Sequence, residues 1–441
     1  MNTLIEHPIF FLLAVCFLVN IPLGSIRENY PKFSNKWFIL IHASIPLILY
    51  LRIQLNTPKW LIPECIFLAI VGQILGSRLK QKYMSHDQKK RLKQIPDFQL
   101  PQKKQGAIKD EDISVVLLNM GGPKTIADVE PFLRRLFMDP LIIRFPLSGL
   151  LQAFFADLLI RFRLKAVQRR YNLIGGGSPI LQSSMNQVRA LNQELKKRGR
   201  SFSVDLCFNY SFPLPEDYLK EIKSKNKRYV LPLSLYTHYS DSTTGSNMYY
   251  LQKQAQKDYA QVQFLKCLPY YLHDGFIQAF VDRIQETLKP GENLEDFYLL
   301  FSAHGTPVYF QIKGDIYSCQ VSQSIAQILA KLNRVHEWAI SYQSAVGPLE
   351  WLKPSTDDTL EALAREGIKK IIVIPISFVN DHIETLCEID IEYREVAHKL
   401  GFTDFRMSKA IESHPKFIEA LADCVENSLL KQERQKETVL C

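Results

Sequence analysis

Apolar residues crowd the start of the chain, where residues 8–24, 37–51 and 60–76 form three nearly unbroken apolar runs. Each is near the short limit, about 17 residues, for a helix that crosses a bilayer. Trp37 and Trp60 stand at segment ends, where amphipathic rings favour the headgroup layer. Farther on the pattern changes to short β-branched runs with polar turns at their C-terminal ends: Val115-Val116-Leu117-Leu118, Tyr229-Val230-Leu231-Pro232-Leu233, Tyr298-Leu299-Leu300-Phe301 and Ile371-Ile372-Val373-Ile374-Pro375. Between these lie stretches of helical spacing at 181–197, 249–258, 321–332 and 357–366. Strands alternating with helices predict an α/β fold with parallel, doubly wound sheets. The expected organisation is a membrane region of three transmembrane helices at 1–83, a basic polar linker at 84–110, a first lobe at 111–270, a second lobe with a C-terminal helix at 271–428, and a polar tail at 429–441.

The two lobes look alike. Residues 227–235 (Lys-Arg-Tyr-Val-Leu-Pro-Leu-Ser-Leu) line up with 370–378 (Lys-Ile-Ile-Val-Ile-Pro-Ile-Ser-Phe), and 116–121 (Val-Leu-Leu-Asn-Met-Gly) line up with 300–305 (Leu-Phe-Ser-Ala-His-Gly). In such sheets ligands lie outside the C-terminal strand ends. There the first lobe offers Asn119 and Met120; the second offers His304 and, beyond its last such strand, Asp381, His382 and Glu384.

Charge orients the apolar runs. The chain has 441 residues, is 46% hydrophobic and carries a net charge of +9. Much of that charge lies between Arg78 and Lys104, abutting the third apolar run. No nucleic-acid motif accompanies the cluster, so a membrane-flanking role fits it better than nucleic-acid binding. Arg27, Lys32 and Lys36 occupy the first connection, whereas the second holds only Arg52 and Lys59. The positive-inside rule then puts the N-terminus outside and everything after Ser77 in the cytoplasm, as for a multi-pass protein of a bacterial inner membrane. Glu6 and the lack of a basic leader argue against a cleaved signal peptide. His42 and Glu64 lie within apolar segments; the plain expectation is a His42 satisfied by a neighbouring helix and a Glu64 near a helix entrance, against a heme or quinone contact through His42. Eight scattered cysteines form neither a metal motif nor a secretory disulfide framework.

The chemistry concentrates in a few runs. Glu384, Glu388 and Glu392 recur every four residues, which stacks three carboxylates on one helix face. A solvated face is the ordinary explanation of such a row. Its start beside a strand end, however, suits oxygen ligands that draw in a divalent cation and release it. His304 closes a hydrophobic strand, and an imidazole there can accept a proton near neutral pH or ligate a metal. Residues 174–180 (Ile-Gly-Gly-Gly-Ser-Pro-Ile) precede a helix and offer backbone amides to an anion, although no P-loop lysine follows. Residues 236–246 are dense in hydroxyls and aromatic rings and would hold a flat ring system by its edges.

In their order these runs resemble the ferrochelatase family. The likeness rests on Leu118-Asn119-Met120-Gly121-Gly122-Pro123, on Arg170-Tyr171 leading to the triple-glycine run, and on Tyr239-Ser240 with residues 242–246. Phe301-Ser302-Ala303-His304, Gln343-Ser344 with Val346-Gly347-Pro348, and His382-Ile383-Glu384-Thr385-Leu386 complete it, so that it spans 114–428. The resemblance implies two Rossmann-like, chelatase-type lobes around a porphyrin cleft, and insertion of Fe²⁺ into protoporphyrin IX with release of two protons. It makes His304 the pyrrole-proton acceptor or iron ligand, with Glu384 opposite it. Asp381, Glu388 and Glu392 would line an iron or proton path, while Met120, Tyr171, Ser178, Tyr239 and Ser240 would lie in or near the porphyrin pocket. Fe²⁺ is then a substrate, and no cofactor is bound permanently. Partners would be the porphyrin, membrane lipid and, as a candidate, the preceding porphyrin-forming enzyme. Some members hold a 2Fe–2S cluster on a cysteine where this chain has Asp241 and on three more near the C-terminus, where it has only Cys424 and Cys441, so no cluster is expected. Asn209 stands where many relatives have Arg before the tyrosine of the first lobe's third strand, and Ala345 where Lys or Arg is common, which alters how propionates are held. Coproporphyrin III, another metal, or a carrier without catalysis remain the alternatives.

Overall fold

The computed structural model describes residues 8–27, 35–94, 108–142, 148–334, 337–347 and 349–438. They form two units, the first made of the N-terminal helices. In it, α1 (Pro8–Arg27), α2 (Asn35–His42), α3 (Ile45–Gln54) and α4 (Ile62–Gln94) supply three segments long and apolar enough to cross a membrane, at Pro8–Arg27, Trp37–Gln54 and Lys59–Leu79. The middle segment breaks between α2 and α3, where Pro46 opens the new helix. The break frees carbonyls of α2, and the Gln73 side chain on α4 donates to two of them, Leu40 (3.3 Å) and Ile41 (3.1 Å). Asn20 on α1 joins this centre, its Oδ1 accepting from Ser44 and Gln73 at 3.0 Å each. Inside a bilayer irregular backbone survives only where protein groups satisfy it, a condition this break meets. Helices α1 and α4 meet backbone to backbone: a Cβ on Gly72 would lie 2.4 Å from the Phe17 carbonyl oxygen, and one on Gly76 1.9 Å from that of Ile21. Small residues permit such packing between apolar helices.

Two expectations change in this unit, and that for Glu64 holds. His42 is exposed, and its Nδ1 meets the Phe38 carbonyl at 2.7 Å, so its own helix satisfies it rather than a neighbour. Glu64 lies in the first turn of α4, where a carboxylate complements the helix dipole. Helix α4 also runs to Gln94, past the boundary placed at 83 and into the segment read as linker.

The second unit holds two four-stranded parallel sheets. β1 (Ile113–Asn119), β2 (Ser203–Phe208), β3 (Tyr229–Ser234) and β4 (Gln263–Phe264) take the order β2-β1-β3-β4. β5 (Tyr298–His304), β6 (Trp338–Gln343), β7 (Lys370–Ile374) and β8 (Asp404–Met407) repeat it as β6-β5-β7-β8. The duplication is therefore real at the level of topology. Its register differs from the sequence match: Leu117 faces Leu233, whereas Phe301 faces Ile374, two places short of the aligned Ile376. A slip of two keeps each side chain on its own face of the sheet.

Both sheets feed one core. Leu117, Leu233, Phe301 and Ile374 belong to a single buried cluster with Phe417 and Leu421 of the C-terminal helix Pro415–Thr438. That helix was assigned to the second lobe. It packs on α7 (Ile180–Lys197) of the first as well as on the helix Asp274–Gln285, and Arg198 clasps its Asp423 and Glu426. Two further first-lobe helices, α5 (Val129–Phe137) and α6 (Ser148–Leu173), pack together around Phe132, Leu133, Ala156 and Ile160 beside the end of β1.

Candidate active site

His304 ends the central strand β5, directly opposite Gln343 at the end of β6. Gln343 is 1% exposed and joins three elements: its Oε1 accepts from Ser302 at 2.6 Å, and its Nε2 donates to the Glu384 carbonyl at 3.0 Å. It thereby pins the segment after β7 onto the sheet. Tyr317 supports the same corner, donating to the His304 carbonyl at 3.0 Å and meeting the Ser377 hydroxyl at 2.6 Å.

The carboxylate row lies on a π-helix, Ile383–Tyr393, rather than the α-helical face its spacing suggested. The wider winding is rare and recurs at functional sites. It sends the three carboxylates to different partners. Glu384 Oε2 lies 2.7 Å from His304 Nδ1. Glu388 is 8% exposed; its Oε1 accepts the Ser344 amide and its Oε2 lies beside the Ser344 hydroxyl, both at 2.8 Å. That same hydroxyl is 3.1 Å from Glu384 Oε2. Glu392 turns away to Arg170 of α6, which grips it with Nε at 2.7 Å from Oε1 and with its terminal nitrogen on Oε2.

The electrostatics follow from these contacts. Burial alone would push the His304 imidazole down, but the Glu384 charge and hydrogen bond outweigh it and raise the imidazole above its ordinary value. Glu384 is held at about 2: burial opposes ionisation, and the His304 charge and hydrogen bond, with His382 and Ser344, overcome it. Glu388 is raised, by burial first and by the Glu384 charge second. The Ser344 hydroxyl has one hydrogen yet faces two carboxyl groups. Both contacts become hydrogen bonds when Glu388 carries a proton and donates to Ser344 while Ser344 donates to Glu384. Ser344 holds φ +63°, a left-handed conformation uncommon outside glycine, and so presents its amide and hydroxyl to the row together.

The other residues singled out from sequence scatter around this centre. Asp381 accepts from the Thr385 hydroxyl at 2.9 Å and takes no hydrogen bond from the row among the described residues; it shapes the turn before the π-helix. Met120 and Ile383, from opposite lobes, both pack on the cluster containing Tyr171 and Tyr210, which makes an apolar wall. Ser178 donates its amide to the Pro123 carbonyl at 2.8 Å. Gly176 donates to Tyr171 and Gly175 to Asn172, so these two amides close the end of α6, and that of Ser178 ties the run to the loop after β1, instead of cradling an anion. Tyr239 bonds Asp241 at 3.1 Å through its hydroxyl. Ser240 is fully buried, with its hydroxyl 2.8 Å from Asp315. Asn209 follows β2, the second strand in chain order, not the third, and hydrogen-bonds Ser246 and Asn247. Ala345 is exposed.

Sequence reasoning quoted Gln343, Ser344 and Arg170 as parts of motifs and assigned them no role. It missed Asp139, 1% exposed, which accepts from Tyr210 and Ser246 at 2.6 Å each and from Tyr250 at 3.1 Å. A lone aspartate before a proline gives no signal of that burial.

A ferrochelatase family model matches residues 112–429, so the N-terminal helices fall outside the match. The ferrochelatase of Synechocystis sp. is 41% identical over 330 residues, 74% of this chain and 85% of that protein. That of Picosynechococcus sp. is 42% identical over 320 residues, covering 72% and 83%. A solved structure of SirB from Bacillus subtilis with Fe3+ is similar at TM-score 0.45 and 14% identity, covering 74% of this chain and 98% of that one.

Proposed function

The chain belongs to the ferrochelatase family, the metal-inserting lyases of heme synthesis, and we propose that it places Fe²⁺ in protoporphyrin IX using His304 as proton acceptor and Glu384 as its partner. The observation that carries this assignment is the 2.7 Å contact between His304 Nδ1 and Glu384 Oε2. In neutral imidazole one ring nitrogen donates and the other accepts. With Nδ1–H given to Glu384, Nε2 is the lone pair left for a pyrrole proton. The imidazolium that results is stabilised by the carboxylate already in place, the logic of a histidine–carboxylate dyad.

Insertion exchanges two pyrrole N–H bonds for bonds to iron, so two protons must leave while the metal enters. The proton on His304 must move on before the second is taken. Ser344 and Glu388 stand next in line behind Glu384, and Glu388 in its neutral form can hand its own proton outward. Fe²⁺ enters as substrate.

Neutral Asn209 and Ala345, where relatives tend to carry cations, favour protoporphyrin IX over the more highly carboxylated coproporphyrin III. An apolar macrocycle also partitions into a bilayer, which gives the three N-terminal segments a use. Their flanking charge supports an N-terminus outside and the two lobes in the cytoplasm. The test is anaerobic turnover by the full-length protein in detergent, followed as loss of free-porphyrin absorbance with each porphyrin in turn. His304→Ala should abolish it; a nearly unchanged rate would remove His304 from the mechanism. Protease added to sealed vesicles of known orientation tests the topology, and digestion of the lobes from the outer side would reverse it.

A further inference from the structure

The proposed metal route along Glu384, Glu388 and Glu392 meets an obstacle at its outer end. Side-chain exposure rises from 20% at Glu384 to 42% at Glu392, so the last carboxylate is the one nearest solvent. It is also the one whose two oxygens are both engaged by a guanidinium. A carboxylate so clasped has no oxygen to offer a dication, and the cation beside it repels one. Arg170 lies on α6 and Glu392 on the π-helix, so the pair also ties the first lobe to the second. The residue after Arg170 is Tyr171, buried in the apolar wall on which Met120 and Ile383 pack.

We propose that the Arg170–Glu392 ion pair is a gate: closed, it withholds the outermost carboxylate from Fe²⁺ and fixes the lobes; open, it frees Glu392 to collect the metal and lets α6 shift. The partial exposure of both partners, 34% and 42%, makes the pair weak enough to open in the working enzyme. Fe²⁺ then replaces the guanidinium as the counter-charge of Glu392, and closure behind it leaves the inner carboxylates as the only way forward. This inference rests on the reading of the acidic row as the metal's route.

Two variants that both break the pair separate a gate from a mere tie. Arg170→Met leaves Glu392 free, whereas Glu392→Gln removes the carboxylate that would collect iron. In the full-length enzyme the Fe²⁺ KM should fall in Arg170→Met and rise in Glu392→Gln, each by about two- to fivefold, the range a partly exposed ion pair is worth. Arg170→Lys, which restores charge without the planar fork, should lie between wild type and Arg170→Met. A tie without gating predicts that both breaking variants move together, in the Fe²⁺ or the porphyrin KM, and that result overturns the proposal. So does an Fe²⁺ KM unmoved in both. Glu388→Gln distinguishes the failures: if it raises the Fe²⁺ KM while the gate variants do nothing, the route stands and only the gate falls.

Discussion

Replacing Glu384 tests the dyad most directly, because glutamine and alanine remove different parts of the contact. Glutamine keeps the shape, and its Oε1 still accepts the Nδ1–H of His304, so the ring orientation survives and only the charge is lost. A hydrogen bond to a charged group contributes ~1.5–3 kcal/mol, against ~0.5–1.5 kcal/mol for a neutral one. The His304 side chain is 34% exposed, which places the difference at the lower end of that range. About 1 kcal/mol of lost stabilisation of the imidazolium lowers kcat roughly five- to tenfold. Alanine removes the acceptor as well as the charge, leaving Nδ1–H unpaired; truncating one partner of a buried pair costs ~3–5 kcal/mol, and discounted for exposure it still predicts roughly a hundredfold loss. The pH profile supplies an independent sign. A His304 that accepts the pyrrole proton must start unprotonated, so the dyad predicts a rate that climbs as pH rises through its elevated value. In both variants the Glu384 charge, the largest cause that raises it, is gone while burial remains, so the acidic limb should move to lower pH. Anaerobic porphyrin-loss assays from about pH 5 to 9 would measure both effects, a span wide enough to hold a histidine limb. Equal rates for the two variants, or a limb that stays where it is, would refute the dyad.

Glu384 also links stability to pH. Its value of about 2 lies below the ordinary carboxylate range, so its contribution is present above that range and lost as pH falls through about 2; the His304 share, from a raised value, is lost as pH rises through it. Urea midpoints of Glu384→Gln should therefore depend less on pH than wild type on the acid side. Ser344 at φ +63° should tolerate glycine better than alanine by ~1–2 kcal/mol, the strain of a left-handed L-residue, although both variants lose the hydroxyl; equal melts would exclude that strain. In the N-terminal unit Gly76→Val would drive a side chain into the Ile21 carbonyl and should cost ~1–3 kcal/mol of helix packing, read as a lower melting temperature in detergent. Gln73→Leu should weaken the same unit by unsatisfying the Leu40 and Ile41 carbonyls, and an unshifted melt would show that the broken segment needs no such partner.

Pattern and spacing found β1, β3, β5 and β7, the alternation with helices and the internal repeat, because each of these is a local signal or a self-comparison, but not β2, β4, β6 and β8. The winding of residues 383–393 was not legible. A four-residue recurrence of glutamates fits α- and π-helices alike, and what separates Glu384, Glu388 and Glu392 is their partners His304, Ser344 and Arg170, 80, 44 and 222 residues away. Cys267 and Cys424 lay equally hidden: they read as isolated thiols, yet their sulfurs stand 3.5 Å apart because the C-terminal helix returns to the first lobe. The triple-glycine run misled for a different reason. Its amides look free in sequence, but a helix end has unsatisfied carbonyls of its own, and those of Tyr171 and Asn172 took them.

The repeat itself explains why the chemistry lies on one side. In the sequence match Met120 occupies the place of His304, each at or just past the end of its sheet's central strand. Around the first end the partners are amides, hydroxyls and rings: the Asn119 carbonyl accepts from Asn247, Asn209 bonds Ser246, and Met120 packs on Tyr171 and Tyr210, while the buried Asp139 carboxylate is taken up by Tyr210, Ser246 and Tyr250. Around the second they are ionisable, with His304, Glu384 and Glu388 joined through Ser344. A macrocycle that loses two protons and gains a dication needs a base and a proton outlet on one face. On the other it needs a surface that holds a flat apolar ring and does not compete for the proton or the metal. On the proposed reading, two copies of one α/β frame supply both faces, and a single equivalent position, thioether in one and imidazole in the other, separates support from catalysis.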